Sequence, residues 1–359
     1  MFFTSTRPSA QKNCSLPNFL QLPAEERNGI YTTVGAELGL TPQILEKDVW
    51  VCWALKTLFS IGDGVDIAFK GGTSLSKAYN AISRFSEDID ITVSHDFLVP
   101  GIQPFAEVMG KNARERMADE ISAKLAEYLN TVIEPHFRNA LDTEFPKGGW
   151  TLNKDSTGLE LHLTYPSATS AGAESDLSYI RQYLKIEFGG RMSTVPIENF
   201  TINPYLSGYL EELDLPNAHV LVLAGTRTFW EKATLAHFEY FRPTARFNSS
   251  RQSRHWYDLY KLADHDIGTR ALADRELLAD VVKYKKVFYT SEYANYDKCL
   301  NGEFHLLPEG VALTALRTDY EIMVGQAMIY GDAPGFEEIV DRLRRLERQI
   351  NSELQEDKN

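Results

Sequence analysis

The stretch that most constrains this chain is Ala68–Val93, AFKGGTSLSKAYNAISRFSEDIDITV. Its order reads strand, glycine turn, helix, strand. Phe69 leads into Gly71-Gly72, where a backbone without Cβ turns sharply and lies close against whatever faces it. Thr73 and Ser74 favour a helix start, and Leu75, Ala78, Tyr79 and Ile82 supply the apolar side of about three turns. The N–H groups left over at that start predict an anion site. After Arg84, DIDITV alternates acid and apolar residues. A strand there sets Asp88 and Asp90 on one face and Ile89, Ile91 and Val93 on the opposite, core-facing one.

Two carboxylates projecting together, one helix away from a phosphate cradle, suit a magnesium ion that substrate phosphates also hold. The chemistry such a pair serves is phosphoryl or nucleotidyl transfer. The rival reading is a glycine β-turn followed by an exposed strand with two solvated acids. What favours the site is the spacing of the glycines and acids within one strand-helix-strand unit.

That pattern, Gly-Gly-(Ser/Thr) and then Asp-x-Asp, resembles the nucleotidyltransferase superfamily motif. More narrowly, GGTSLSKAY with RFSEDIDI resembles the AbiEii/AbiGii toxin family of type IV toxin–antitoxin systems. The resemblance continues in Glu46-Lys47-Asp48, in Lys185-x-Glu187, in Glu231-Lys232 opening a helix, in Arg254-x-x-x-Asp258, and in the tail from Lys283. It implies an α/β (α+β) bilobed nucleotidyltransferase fold. A lobe of residues 1–205 would hold a small mixed sheet with helices, and a mainly helical C-terminal lobe, 206–359, would close over the cleft.

The activity so implied is transfer of a nucleoside monophosphate from an NTP, with pyrophosphate leaving and magnesium as cofactor. Asp88 and Asp90 would hold the metal. Gly71, Gly72, Thr73 and Ser74 would bind the triphosphate through N–H and hydroxyl groups, and Lys77 and Lys185 would neutralise its charge. Glu187 would complete the metal site or pair with Lys185, whose face it shares by the period of two. Lys232 would lie on the helix facing the nucleotide. Arg254 and Asp258 share a helix face, with Asp258 orienting the acceptor or the metal–triphosphate; an ordinary i,i+4 ion pair is the rival reading. The acceptor implied is an RNA, a transfer RNA 3′ end, whose modification would halt translation. A cognate antitoxin encoded next door would neutralise the protein without tight binding.

Two other functions stay open: a nucleotidyltransferase acting on a small molecule such as an antibiotic, and a regulatory protein that holds NTP without transferring it. The first would have an acidic acceptor pocket. The expectation for RNA rests on Arg227–Arg254, which carries Arg227, Lys232, Arg242, Arg246, Arg251 and Arg254 against Glu231 and Glu239, with Tyr240, Phe241 and Trp256 for stacking. Such an excess is notable in a chain of 359 residues with a formal charge of −13, which argues against a general nucleic-acid coater. Lys283, Lys285 and Lys286 add further cations.

Cys14, Cys52 and Cys299 form neither a disulfide framework nor a zinc pattern and fit a reducing cytoplasm. The N-terminus has no apolar core before a cleavage site, so a soluble cytoplasmic protein with no membrane partner is expected. GGTSLSK lacks the spacing of a P-loop, and there is no Gly-x-Ser-x-Gly elbow or His-Glu-x-x-His pair. Helices are expected over Pro23–Leu40, from Thr41 through Phe59, over Asn112–Arg138 and from His255, and strands over Leu159–Tyr165 and Tyr179–Phe188. Proline and glycine breaks near Asn203–Pro216 suggest the lobe boundary.

Overall fold

The computed structural model describes residues 16–62, 66–105, 109–169, 181 and 183–356. Helices α1 (Ala24–Leu38) and α2 (Pro42–Phe59) come first. The Thr41 hydroxyl accepts from the Ile44 N–H and Pro42 sits in the first turn, as those residue types dictate. Then come β1 (Ile67–Lys70), α3 (Gly71–Lys77), β2 (Ile89–Val93) and the short α4 (His95–Leu98). Helix α3 starts at Gly71 and stops at Lys77, so Ala78, Tyr79 and Ile82 lie beyond it, and Ile82 is buried from a loop. The three turns expected are reduced to seven residues.

Helices α5 (Lys111–Tyr128) and α6 (Glu134–Glu144) run on through one π-helical turn, Leu129–Ile133. Ile121, Leu125, Leu129, Ile133, Phe137 and Leu141 are all buried at a spacing of four. A regular α-helix would rotate that series steadily off the core, since four residues exceed one turn of 3.6. The wider π turn takes back part of the drift, and it puts Ile133 inward and leaves Val132 half-buried.

Strands β3 (Thr151–Lys154), β4 (Glu160–Thr164), β5 (Leu184–Gly189), β6 (Ile197–Ile202) and β7 (Ala218–Leu223) complete a sheet with order β3-β4-β5-β2-β1-β7-β6. It is mixed, as expected, but not small: β1‖β7 and β2‖β5 are parallel and the remaining neighbours antiparallel. Strand β5 begins at Leu184; Tyr179 and most of the polar segment before it lie outside the described residues. Strand β7 pairs directly with β1, so a division between residues 205 and 206 would cut this sheet.

The rest is helical: α7 (Gly225–Phe241), α8 (Ser253–Ala263), α9 (Asp266–Ala273), α10 (Arg275–Phe288), α11 (Gly310–Gly325) and α12 (Phe336–Glu356). One apolar core lies on the sheet with α1, α2, α5 and α6; a second joins α7 to α12 and takes in Leu75, Ala81, Ile82 and Phe85. Ile339, Leu343, Leu346 and Ile350 of α12 are buried as their spacing predicts, whereas α11 ends before Ala327, which is exposed at φ 54° while Met328 packs instead. The GGTS helix and the loop after it therefore face both cores. Among the described residues, no helix is long and apolar enough to cross a membrane.

Candidate active site

The site grows from the end of β1. Lys70 faces Asp90 in the antiparallel register, and the chain turns at Gly71 with φ 83°. A Cβ on Gly71 would overlap the Asp90 carboxylate, and one on Gly72 would overlap the Arg84 guanidinium and the Ser86 hydroxyl. The glycine pair is thus required by close approach as well as by backbone conformation. Thr73 and Ser74 are fully buried. The Thr73 hydroxyl donates to the Asp88 carbonyl at 2.5 Å and meets Ser86 Oγ at 2.9 Å, while Ser74 Oγ donates to the Gly71 carbonyl at 3.0 Å. The Thr73 hydroxyl ties the turn to the segment that leads into the acid strand, and the Ser74 hydroxyl closes the turn on itself.

Ile89 and Ile91 are buried, so alternation turns Asp90 to the other side, where it lies beside Glu187 in the parallel β2–β5 register. Burial, then the Glu187 and Asp88 carboxylates, push the Asp90 carboxyl up to about 6. Lys185 shares that face and reaches Glu187 at 2.7 Å and Glu160 at 3.1 Å. Burial works against its charge, but the two carboxylates hold Lys185 above its ordinary range. The period of two thus set Lys185 and Glu187 correctly on one face, and missed Glu160.

Asp88 lies just before β2 and is buried. Its Oδ1 takes Arg181 Nη1 at 3.1 Å and its Oδ2 takes Arg254 Nη1 at 3.1 Å, with Arg251 Nη2 at 4.0 Å. Burial alone would raise this carboxyl, yet the Arg254, Arg181 and Arg251 guanidinium groups hold it below the usual range. The neighbouring Glu87 accepts from Lys47 Nζ at 2.6 Å, the Arg181 N–H at 3.2 Å and Arg251 Nη2 at 3.2 Å.

An all-oxygen donor set of one or two carboxylates suits magnesium completed by phosphates and water. Asp90, drawn against Glu187 with its proton held abnormally tightly, fits such a cation. Asp88 fits it once its arginines are displaced. Among the described residues, no group of three or more His, Cys, Asp and Glu side chains is arranged to hold a metal.

Several expected site residues are engaged elsewhere. Lys77 is buried, with Nζ 2.5 Å from Asp48 Oδ1, 2.8 Å from the Asn203 carbonyl and 3.8 Å from the Tyr205 ring centroid. It ties α3 to α2. Asp258 is wholly buried; Arg84 bonds both its oxygens at 2.7 and 2.8 Å and Lys232 Nζ adds a third contact at 2.8 Å. Burial would raise its carboxyl, and Arg84 and Lys232 hold it well below the usual range. The i,i+4 pair with Arg254 is replaced by Arg254 on Asp88.

Glu46-Lys47-Asp48 is no solvated run. All three are buried: Glu46 takes Ser167 Oγ at 2.6 Å, Lys47 takes Glu87, and Asp48 takes Lys77. Arg227, Lys232 and His237 of α7 are also buried. Arg227 meets Asp280 at 2.7 Å, Arg242 meets Glu239 at 2.6 Å, and Trp256 donates its Nε1–H to the Leu306 carbonyl at 2.7 Å from the core. Tyr240 is stacked on His305, centroids 4.0 Å apart. Most of the basic stretch is therefore paired internally or directed at Asp88. What the sequence did not reveal were the parts played by Arg84, Arg181 and Glu87; Glu87 stood inside the acid motif, nothing local marked Arg84 or Arg181, and Arg251, expected as a cation of the basic stretch, lies on Glu87 and near Asp88.

Among curated proteins none matches this sequence. A similar solved structure is that of MenT4, a nucleotidyltransferase toxin from Mycobacterium tuberculosis H37Rv, with 18% identity over 93% of this chain and 98% of that one, at a TM-score of 0.37. The family model described as nucleotidyl transferase AbiEii toxin, type IV TA system, matches residues 53–342, spanning the glycine turn, Asp88, Asp90, Lys185, Glu187, Lys232 and Asp258. The chain belongs to the AbiEii family of type IV toxin–antitoxin nucleotidyltransferases.

Proposed function

We propose that this chain moves a nucleoside monophosphate from an NTP to an RNA acceptor, a transfer RNA 3′ end, in the cytoplasm, and that the added nucleotide masks that end and so blocks translation. The observation that supports this most is the meeting of two opposite half-sites at the glycine turn. Asp90 and Glu187 form an acidic half; Arg181, Arg251 and Arg254 form a basic half around Asp88. A nucleoside triphosphate with a hard cation has matching halves.

In the reaction the acceptor oxygen attacks the α-phosphorus, the bond to the β-phosphate bridge breaks, pyrophosphate leaves and the hydroxyl proton is released. A magnesium ion held by Asp88 and Asp90 would supply charge stabilisation at the reacting phosphate. The arginines carry the charge of the leaving pyrophosphate, a task for which guanidinium forks are suited. Lys185, held between Glu160 and Glu187, keeps Glu187 in place beside Asp90. Asp258 is a positioning residue: it fixes Arg84 against Gly72 and holds Lys232.

The internal pairing of the basic stretch favours one rival, a small-molecule acceptor. One assay separates the two. Purified protein, magnesium and each labelled NTP are incubated with total bacterial RNA, with and without ribonuclease, beside the Asp90→Ala variant. Label on small RNA, absent with the variant, is the expected result. Label on a ribonuclease-resistant product would transfer the reading to a small acceptor, and nucleotide binding with no product at all would leave an NTP-holding regulator. A type IV antitoxin, expressed together with the protein, is expected to abolish its effect without co-purifying.

A further inference from the structure

Three guanidinium groups lie on or beside one carboxylate that the reaction needs free. Arg181 takes one oxygen of Asp88 and Arg254 the other, both at 3.1 Å, while Arg251 bridges from Glu87 at 3.2 Å toward Asp88 at 4.0 Å. With Lys47, four cations meet two carboxylates, Glu87 and Asp88, leaving an excess of two positive charges. A purely structural clamp would be sealed, as Arg84–Asp258 is, with side chains 5% and 0% exposed. The arginine side chains on Asp88 are instead 21–30% exposed. In addition, Arg254 Nε is buried and makes no hydrogen bond among the described residues. That is a donor without an acceptor, at a residue whose fork matches a phosphate edge.

We propose that Arg181, Arg251 and Arg254 are two-position residues that rest on Asp88 in the free protein and move onto the triphosphate, so that nucleotide binding opens Asp88 to the cation. This rests on the nucleotidyltransferase reading above and adds an order to it. Guanidinium on Asp88 competes with a cation for the same oxygens, and it competes with phosphate for the same N–H groups. Triphosphate and cation therefore strengthen one another's binding reciprocally. A cation alone meets a masked carboxylate.

The test uses two probes that need no catalysis. Tripolyphosphate, titrated calorimetrically in the presence of a chelator, reports the arginines; Mn2+ alone, followed by electron paramagnetic resonance, reports the carboxylates. Asp88→Asn removes the resting partner and is expected to tighten metal-free tripolyphosphate about five-fold or more, the lower range of such couplings. The double variant Arg251→Gln/Arg254→Gln is expected to weaken tripolyphosphate by at least that factor and to tighten Mn2+. Arg254→Lys, which keeps the charge, backs up the double variant should it melt early. Asp88→Asn that binds tripolyphosphate no tighter than the natural chain, or arginine variants that bind Mn2+ no tighter, would overturn the coupling alone. Tripolyphosphate that bound to no form, natural chain included, would overturn the coupling and the nucleotide reading together.

Discussion

Gly71 and Asp90 occupy space that only this pair can share. With φ 83° and a Cβ position that overlaps the Asp90 carboxylate, Gly71→Ala adds backbone strain to a displaced acid. We expect it to cost about 1–3 kcal/mol in urea denaturation and to remove transfer activity. Wild-type activity in that variant would mean the carboxylate does not need its present place. Asp90 also gives a pH dependence. Its carboxyl is raised from 3.8 to about 6, so between those values the folded chain binds more protons than the unfolded one. The stability this contributes is full below the unfolded value and is lost as pH rises through about 6. In chelator, Asp90→Asn should therefore flatten the stability–pH curve over that window and raise the unfolding free energy from urea titration near neutrality by on the order of 1–2 kcal/mol, while abolishing transfer. A variant less stable than the natural chain near neutrality would contradict this.

At the level of elements, local rules set most helices and few of their partners. The Thr41 cap, the apolar spacing of α12 and the alternation in β5 were all legible, because each depends on neighbours in the chain. Strands β3, β6 and β7 were not recognised: β3 and β6 bury little of one face at a sheet edge or near it, and the run Ala218–Leu223 sat beyond proline breaks that suggested a boundary. The charged residues were the hardest to assign. Arg84 and Asp258 are 174 positions apart, and nothing in α8 reveals that its aspartate turns inward to Arg84 while its arginine reaches Asp88. That inward turn has an energetic signature. Asp258→Ala strands two buried cations, Arg84 and Lys232, and should cost about 3–5 kcal/mol in denaturation. A loss below about 1 kcal/mol, the worth of an exposed pair, would show that the site is wetter than its burial indicates.

Over the whole molecule, an acidic chain whose main basic stretch is largely paired internally has little there to offer a phosphate backbone. Arg227, Lys232, Arg242, Arg251 and Arg254 each have a carboxylate partner. RNA association resting on one or two free contacts should weaken only about ten-fold or less between roughly 50 and 200 mM salt. A loss of about a thousand-fold or more, as for six or more phosphate contacts, would point to a basic surface that forms with the RNA present. A different consequence follows from the single turn of α2 that carries Glu46, Lys47 and Asp48. Those three side chains anchor the loop after β4, the residue beside Asp88, and the helix of the glycine turn. For genetics this divides the ways of silencing the gene product. Survivors selected under overexpression should fall into two groups. Changes at Asp88 or Asp90 should leave full-length soluble protein on a gel; changes at positions 46–48, or a one-residue insertion there, should leave protein that is degraded or in inclusion bodies. The same turn would then be the wrong place to look for a harmless variant kept as a folded reagent.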